Sequence, residues 1–435
     1  MLLQGGKLHL KLFEKEEEEL EMFQVAGRGP AVQRHEESSG SMTRCRRIGR
    51  GRGRRREVSD DDTTTTELEF ELSRKVINLE ALQQIACCGH LNGELRATVW
   101  KLLLGYLPAE IDAWEGELAS NRLRYAELKE ELLVNPSEYL RKEDETLSAS
   151  KNSRIMGVDG QLSRQEIFNG DHPLSLGNDS IWHQYFKDGE IVEQIDRDLE
   201  RTHPDIKFFS GDISHSKRNQ KAMRNILLLF AKLNPAIGYV QGMNEVLAPL
   251  YYVFSTDPNE QNASNAEADS FSCFVRVMSD SVDHFCQQLD NSSVGIHSTL
   301  SRLSELLKGN DEELWRHLEN SKVNPQFYAF RWITLLLTQE FEFHCIMRIW
   351  DCLLSNPLGV QEMLLRVCCA MLVCVRRELL KGDFTSNLKL LQHYPERLRL
   401  SIRNSSSFDS RLIISFTGLL LDDRWTIKWS KDLCK

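Results

Sequence analysis

Residues 222–235 read AMRNILLLFAKLNP, and this stretch carries the helical pattern that decides the fold class. The apolar side chains that recur at helical spacing, and so share one face, are Ala222, Ile226, Leu229, Phe230 and Leu233. Asn234 and Pro235 end the pattern, because proline cannot continue a helix. The stretch therefore predicts an amphipathic helix that stops before Pro235.

The same spacing extends outward, from about residue 79 to about residue 391, with few prolines and little strict alternation. It predicts an all-α body. An apolar face that ends before Pro108 is expected at Val99, Leu102, Leu103 and Leu107. Asn310 and Glu313 are expected to form a capping box, and a late helix is expected to run to Leu380 and end near Gly382. Residues 144–180 are predicted to form a long polar loop.

The two ends of the chain differ from this body. Residues 1–70 combine an acidic run, an Arg/Gly-rich cluster at 44–56 and four consecutive threonines. Opposed charge blocks of this kind bury little apolar surface, so we predict a disordered charged extension. A single domain is expected over residues 80–395, followed by a tail of uncertain structure at 396–435.

Composition excludes several classes of function. The chain has 435 residues and a formal net charge of -10, which argues against binding nucleic acid or anionic membrane over its whole surface. Its 11 cysteines form no CxxC spacing, so no zinc or redox site is predicted. We expect Cys368, Cys369 and Cys374 to be core residues. With no signal peptide and no bilayer-length apolar run, a cytoplasmic protein is predicted, with at most peripheral membrane association.

One candidate site motif is Ile195-x-x-Asp198-x-x-Arg201. On a helix over residues 190–202, Ile195, Leu199 and Thr202 share an anchoring face, and Asp198 and Arg201 lie on a neighbouring one. Pro204 disfavours helical geometry at His203, so Arg201 is predicted in the last turn, where its side chain can project past the helix end. The alternative is an ordinary surface ion pair between Asp198 and Arg201.

A second candidate motif is Tyr239-x-Gln241-Gly242-Met243. Turn-forming residues precede it and a helical run follows it, so Gln241 and Gly242 are expected near a helix N-terminus. Gly242 permits close approach of another backbone, and Tyr239 and Met243 can pack around the glutamine. The alternative is a glutamine that caps the helix.

The two motifs supply one guanidinium and one carboxamide. In phosphoryl transfer a guanidinium neutralises charge on the transferred group, and an amide can position the attacking water. The chain has no G-x-x-x-x-G-K-[ST] phosphate loop, no HExxH zinc motif and no G-x-S-x-G elbow. Both side chains are therefore expected to act on a nucleotide that a partner carries.

In these residues the chain resembles the TBC-domain family of Rab GTPase-activating proteins. The segments that carry the resemblance are Arg96-x-x-x-Trp100, the two motifs above, Phe330-Arg331-Trp332 and Ile349-Trp350-Asp351. The likeness covers roughly residues 80–395. It implies a single V-shaped helical domain whose partner is a Rab-family small GTPase in the GTP-bound state, in vesicle trafficking.

The resemblance also implies a role for each residue. Arg201 would enter the Rab nucleotide pocket, and Gln241 would replace the Rab's own glutamine in aligning water. Asp198 would support them. Arg96 and Trp100 would be structural and hold the N-terminal helices together. GTP and Mg²⁺ would belong to the partner, leaving this chain without a cofactor or metal of its own.

Two other functions stay open from the sequence. One is a scaffold that binds an active Rab on the same surface without accelerating hydrolysis. The other is nucleic-acid binding through the Arg/Gly-rich cluster at 44–56. This cluster lacks interleaved aromatic residues on which bases could stack, so any binding would be electrostatic.

Overall fold

The computed structural model describes residues 60–88, 91–133, 181–211, 214–285 and 295–395. The charged segment up to residue 59, the predicted loop at 144–180 and the tail at 396–435 lie outside these ranges. The described residues form α-helices and short 3₁₀ turns, with an isolated β-bridge between Val76 and Glu110 and no strand. The prediction of an all-α fold is confirmed.

Four helices open the described chain: α1 (Asp60–Leu72), α2 (Leu79–Cys88), α3 (Gly93–Leu103) and α4 (Trp114–Leu132). The predicted boundary near residue 70 is wrong, because α1 begins ten positions earlier and packs on α2. Leu68 of α1 is fully buried, and Glu71 accepts a hydrogen bond of 2.7 Å from the backbone N–H of Asn78. Apolar contact and a local hydrogen bond thus hold α1 in the domain.

The helix α3 ends earlier than its apolar pattern predicts. Asn92 caps its start by accepting a hydrogen bond from the Glu94 N–H. Gly105, at φ 65°, turns the chain after Leu103, and the N–H groups of Tyr106 and Leu107 both donate to the Lys101 carbonyl. Leu107 is therefore buried beyond the helix rather than on its face.

The middle of the chain contributes five helices, which are α5 (Ile181–Glu200), α6 (Ser214–Leu233), α7 (Met243–Ser255), α8 (Glu260–Ser264) and α9 (Ala266–Ser279). As predicted, α6 ends at Leu233. The helix α9 packs against α4, α6 and α7. Its buried Asp269 accepts hydrogen bonds from Lys101 at 2.6 Å, Tyr106 at 2.8 Å and Arg122 at 2.8 Å. One carboxylate thus joins α9 to α4 and to the end of α3.

The last seven described helices are α10 (Ile296–Asn310), α11 (Glu312–Asn320), α12 (Ala329–Thr334), α13 (Phe343–Leu354), α14 (Val360–Cys374), α15 (Arg376–Leu379) and α16 (Phe384–Gln392). Short 3₁₀ turns lie at Ile111–Ala113, Val282–Phe285 and Pro325–Phe327.

Three sequence predictions in this region need correction. Asn310 ends α10, and Asp311 caps α11 by accepting a hydrogen bond from the Leu314 N–H, so the predicted capping box is wrong. The helix predicted to run to Leu380 is divided into α14 and α15 at Val375. Cys368 and Cys369 are buried as expected, but Cys374, the last residue of α14, is exposed.

A buried carboxylate joins α3 to α13. Asp351 accepts two hydrogen bonds from the Arg96 guanidinium, at 3.0 and 3.2 Å, and one of 2.8 Å from the Trp100 indole N–H. The Trp100 ring stacks on Trp350 with centroids 5.7 Å apart. Arg96 and Trp100 therefore connect an early helix to a late one, a longer-range contact than the role within the N-terminal helices that the resemblance implied.

Candidate functional site

The helix α5 carries the first motif to the edge of the site. Ile195, Leu199 and Thr202 are buried, as the predicted anchoring face requires. The helix ends at Glu200, and Arg201 is the first residue of the turn that follows. His203 adopts φ 40°, in line with the expectation that Pro204 excludes helical geometry there.

The side chain of Arg201 projects from this helix end while its partner is buried. Arg201 is 56% exposed, whereas Asp198 is only 5% exposed. One Asp198 oxygen accepts a hydrogen bond from the Arg201 guanidinium at 2.5 Å, and the other accepts one from the Tyr239 hydroxyl at 2.6 Å. An ordinary surface ion pair has two solvated partners, so that alternative is wrong for Asp198.

The second motif forms the turn that begins α7. Gly242 adopts φ 104° immediately before the helix, and the prediction that Gln241 and Gly242 lie near a helix N-terminus is confirmed. A Cβ atom on Gly242 would lie 2.5 Å from Leu335 Cδ2, so the turn packs directly on the end of α12. Tyr239 and Met243 are buried on either side of the turn.

Gln241 is exposed at the tip of this turn. Its side chain makes no hydrogen bond to any described residue, and α7 has no side-chain cap. The alternative of a helix-capping glutamine therefore does not apply. A carboxamide in this position is available both to donate and to accept.

Asn244 and Thr202 join the two motifs through hydrogen bonds that the sequence did not predict. Asn244, in the first turn of α7, donates a hydrogen bond of 2.8 Å to the Thr202 hydroxyl and accepts one of 3.1 Å from the Gly242 N–H. Thr202 in turn donates to the Asp198 carbonyl at 2.9 Å. The only sequence signal is a polar residue, Asn244, one position after the second motif, and it does not indicate which residue it contacts.

Two buried titratable side chains lie against the same turn. His203 Nε2 is 3.6 Å from Glu245 Oε2, which is too long for a hydrogen bond. Burial raises the pKa of Glu245 to about 7, although Gln339 and Arg201 both favour its ionised form. Burial lowers the pKa of His203 to about 4. Neither residue was singled out from the sequence, because its environment comes from tertiary packing.

The site thus presents a guanidinium and a carboxamide to solvent from two segments joined by buried hydrogen bonds. The part of the chain that the structure describes contains no His, Cys, Asp or Glu cluster able to hold a metal ion. None of the described helices is both long and apolar enough to cross a bilayer.

Comparison with known proteins defines the class of protein. The family model described as Rab-GTPase-TBC domain matches residues 93–380. A solved structure, the Ypt/Rab-GAP domain of Gyp1p, shares the fold with a TM-score of 0.61 and 24% identity, over 82% of this chain and 97% of that one. The chain therefore belongs to the Rab-GTPase-TBC domain family.

Individual relatives are similar along most of their length. TBC1 domain family member 13 of Homo sapiens is 37% identical over 385 residues, which covers 74% of this chain and 92% of the relative. The protein of the same name in Mus musculus is 36% identical over the same shares. The resemblance found in the short motifs thus extends through the helical domain.

Proposed function

We propose that this chain is a GTPase-activating protein for a Rab-family small GTPase in its GTP-bound state, with Arg201 and Gln241 acting in trans as two catalytic fingers. The observation that carries the proposal is the joint presentation of both groups. Each is exposed, and the segments behind them are joined by the Asp198–Tyr239 hydrogen bond of 2.6 Å. Membership of the Rab-GTPase-TBC family supports the choice of partner.

In this proposal Arg201 stabilises negative charge on the transferred phosphoryl group. An arginine finger contributes about 10³–10⁵ in rate, or roughly 4–7 kcal/mol of barrier. The guanidinium has a fixed fork of donors, and lysine offers only a point charge. Asp198 supports it, because a buried carboxylate that also binds Tyr239 can hold the guanidinium in one orientation.

Gln241 aligns the attacking water in the place of the GTPase's own glutamine. Its amide can accept from water and donate to a phosphate oxygen, which a carboxylate cannot do. Ile195, Met243 and Gly242 act beneath the surface, since the first two are fully buried and the third sets the turn. They would shape the site without touching the nucleotide.

The nucleotide and its Mg²⁺ belong to the partner in this mechanism, and this chain brings no cofactor of its own. A role in vesicle trafficking follows from the partner class, with the protein in the cytoplasm and at most peripherally on endomembranes. These parts of the proposal rest on family membership rather than on site geometry.

The direct test is single-turnover GTP hydrolysis by a panel of purified Rab-family GTPases, with and without the full-length chain. Arg201→Ala should lower the stimulated rate by about 10³-fold or more, because the transition-state charge loses its partner. Arg201→Lys should recover little, since it lacks the forked donor. Gln241→Ala should also lose most stimulation.

The chain offers a control residue of the same type for each finger. Arg197 lies one turn before Arg201, on α5, and is 68% exposed. Its guanidinium is 4.0 Å from the exposed Glu193 carboxylate, a weak surface ion pair. Arg197→Ala should therefore leave the stimulated rate unchanged. Gln261→Ala replaces another exposed glutamine, on α8. Stimulation by Arg201→Ala equal to that of Arg197→Ala would reject the arginine-finger assignment.

The second candidate, a non-catalytic Rab-binding scaffold, predicts binding of GTP-loaded Rab with an unchanged hydrolysis rate. The exposed Arg201 and Gln241 favour the catalytic proposal, because a scaffold requires neither group. Nucleic-acid binding has no support among the described residues, since the Arg/Gly-rich cluster at 44–56 lies outside them.

A further inference from the structure

Asn244 occupies the junction between the two finger segments. It is 2% exposed and lies in the first turn of α7. Its carboxamide oxygen accepts from the Gly242 N–H at 3.1 Å, and its nitrogen donates to the Thr202 hydroxyl at 2.8 Å. Gly242 follows Gln241, and Thr202 follows Arg201. One buried side chain therefore binds the immediate neighbour of each finger.

We propose that Asn244 is a positioning residue that fixes the spacing between Arg201 and Gln241. The inference rests on the proposed function, because spacing matters only if both fingers act on one phosphoryl group. Reacting groups displaced by about 1 Å can lose about 100-fold in rate. Because Asn244 is only 2% exposed, it is shielded from a nucleotide or partner at the surface, and its effect would pass through the two segments.

The chemistry of the junction requires an amide. Asn244 must accept on one side and donate on the other, and no other side chain of this length does both with fixed geometry. Aspartate would keep the bond from Gly242 but would lose the donor to Thr202. It would also bring a second carboxyl group against the buried Glu245, because the Asn244 nitrogen that aspartate replaces with oxygen lies 3.4 Å from Glu245 Oε1.

The Asp198–Tyr239 hydrogen bond alone does not fix the spacing. It holds the beginning of the second motif to α5, but Gln241 lies beyond it on a turn that passes through Gly242 at φ 104°. The bond from the Gly242 N–H to Asn244 closes that turn on the far side of Gln241. Both flanks of the glutamine are then tied to residues that flank Arg201.

The test uses Asn244→Ala in the full-length chain, with Asn387→Ala as the matched control. Asn387 lies on α16, is 1% exposed, and donates a hydrogen bond of 2.9 Å to the Leu379 carbonyl at the end of α15. Its loss therefore also leaves a buried polar group unpaired. Both variants should unfold at lower temperatures than the wild type. Only Asn244→Ala should lose stimulated hydrolysis, by about 100-fold at saturating concentration, with an unchanged half-saturating concentration.

A double-mutant cycle separates positioning from simple destabilisation. If Asn244 acts through Gln241, the loss caused by Asn244→Ala should fall below about threefold in a Gln241→Ala background, because coupled residues are not additive. Thr202→Val removes the hydroxyl partner without changing the shape. Thr202→Val should lower the stimulated hydrolysis rate by about tenfold, because one of the two bonds of Asn244 is lost. This variant tests the junction even if Asn244→Ala does not fold.

The outcomes distinguish the two proposals. A wild-type chain that accelerates no Rab would reject the proposed function, and the positioning role with it. A wild-type chain that accelerates hydrolysis while Asn244→Ala matches Asn387→Ala would reject the positioning role alone. A full, additive loss from Asn244→Ala in the Gln241→Ala background would also overturn it.

Discussion

Gly242 meets two constraints at once, a backbone angle and a close contact. Its φ of 104° lies outside the range that a side chain tolerates, and a Cβ would lie 2.5 Å from the buried Leu335. Gly242→Ala should therefore lower the free energy of unfolding by about 3 kcal/mol, the sum of backbone strain and overpacking. Chemical denaturation of the purified variant measures this change.

A nearby glycine separates the two causes. Gly238 has φ 67°, but a Cβ atom added there would meet no other atom within 4 Å, so Gly238→Ala carries backbone strain without overpacking. It should cost about 1 kcal/mol. Equal losses for the two variants would contradict the role assigned to the Leu335 contact.

His203 and Glu245 make opposing contributions to stability as pH changes. The pKa of Glu245 rises from 4.5 to about 7 on folding, so its contribution to stability is lost as pH rises through that interval. The pKa of His203 falls from 6.5 to about 4, so its contribution is lost as pH falls through that interval. In the wild type the two trends should partly cancel between these limits.

Single substitutions should expose each trend. Glu245→Gln leaves the histidine, and its free energy of unfolding should fall more steeply than that of the wild type as pH decreases from 6.5 to about 4. His203→Gln leaves the carboxyl group, and stability should fall as pH increases from 4.5 to about 7. Denaturant titrations over this pH range give the free energy of unfolding of each protein as a function of pH. Parallel curves for the wild type and both variants would show that His203 and Glu245 do not cause the pH dependence.

The sequence predicted the interiors of the helices better than the residues at which the helices begin and end. The apolar repeat of residues 222–235 placed the end of α6 correctly, because Asn234-Pro235 is a local stop signal. Leu107 and Asp311 show where local signals fail. The turn at Gly105 and the choice between two adjacent capping residues depend on what each helix end packs against, which periodicity does not report.

The contact between α3 and α13 supports a prediction about stability. Asp351→Ala would leave the Arg96 guanidinium and the Trp100 N–H without their shared acceptor in a buried place. Removing one partner of a buried pair costs about 3–5 kcal/mol, so we expect a loss of this size in the free energy of unfolding. Urea titration monitored by tryptophan fluorescence measures it.

An exposed ion pair provides the comparison for Asp351. Glu312 and Arg316, on α11, are 62% and 60% exposed and lie 2.6 Å apart. Glu312→Ala should change stability by less than about 0.5 kcal/mol, because solvated pairs contribute little. A similarly small effect for Asp351→Ala would mean that the carboxylate is not what joins the two helices.

For the whole molecule, the sequence located the candidate site but not its supports. Arg201 and Gln241 could be named because each lies in a short motif with a chemical rationale. Asn244, Glu245 and Asp351 could not be assigned their contacts, since each depends on a residue that the fold brings close. The Asp351 contact with Arg96 spans 255 positions along the chain. Pairing at that range is a property of the packed domain.

The beginning of the domain is the last feature that the fold redefines. The charged composition placed it after residue 70, yet α1 contributes the fully buried Leu68 and the bond from the Asn78 N–H to Glu71. A chain that begins at residue 75 should be less stable than one that begins at residue 60, by about 3 kcal/mol. This figure combines burial of one leucine, about 2 kcal/mol, with one hydrogen bond, about 1 kcal/mol.

Leu68→Ala in the longer chain should reproduce most of the leucine part, whereas substitution of the exposed Phe70 should not. Equal stability of the two truncated chains in denaturant titrations would place the start of the domain after α1, because a helix that adds nothing to stability is not part of the cooperative unit.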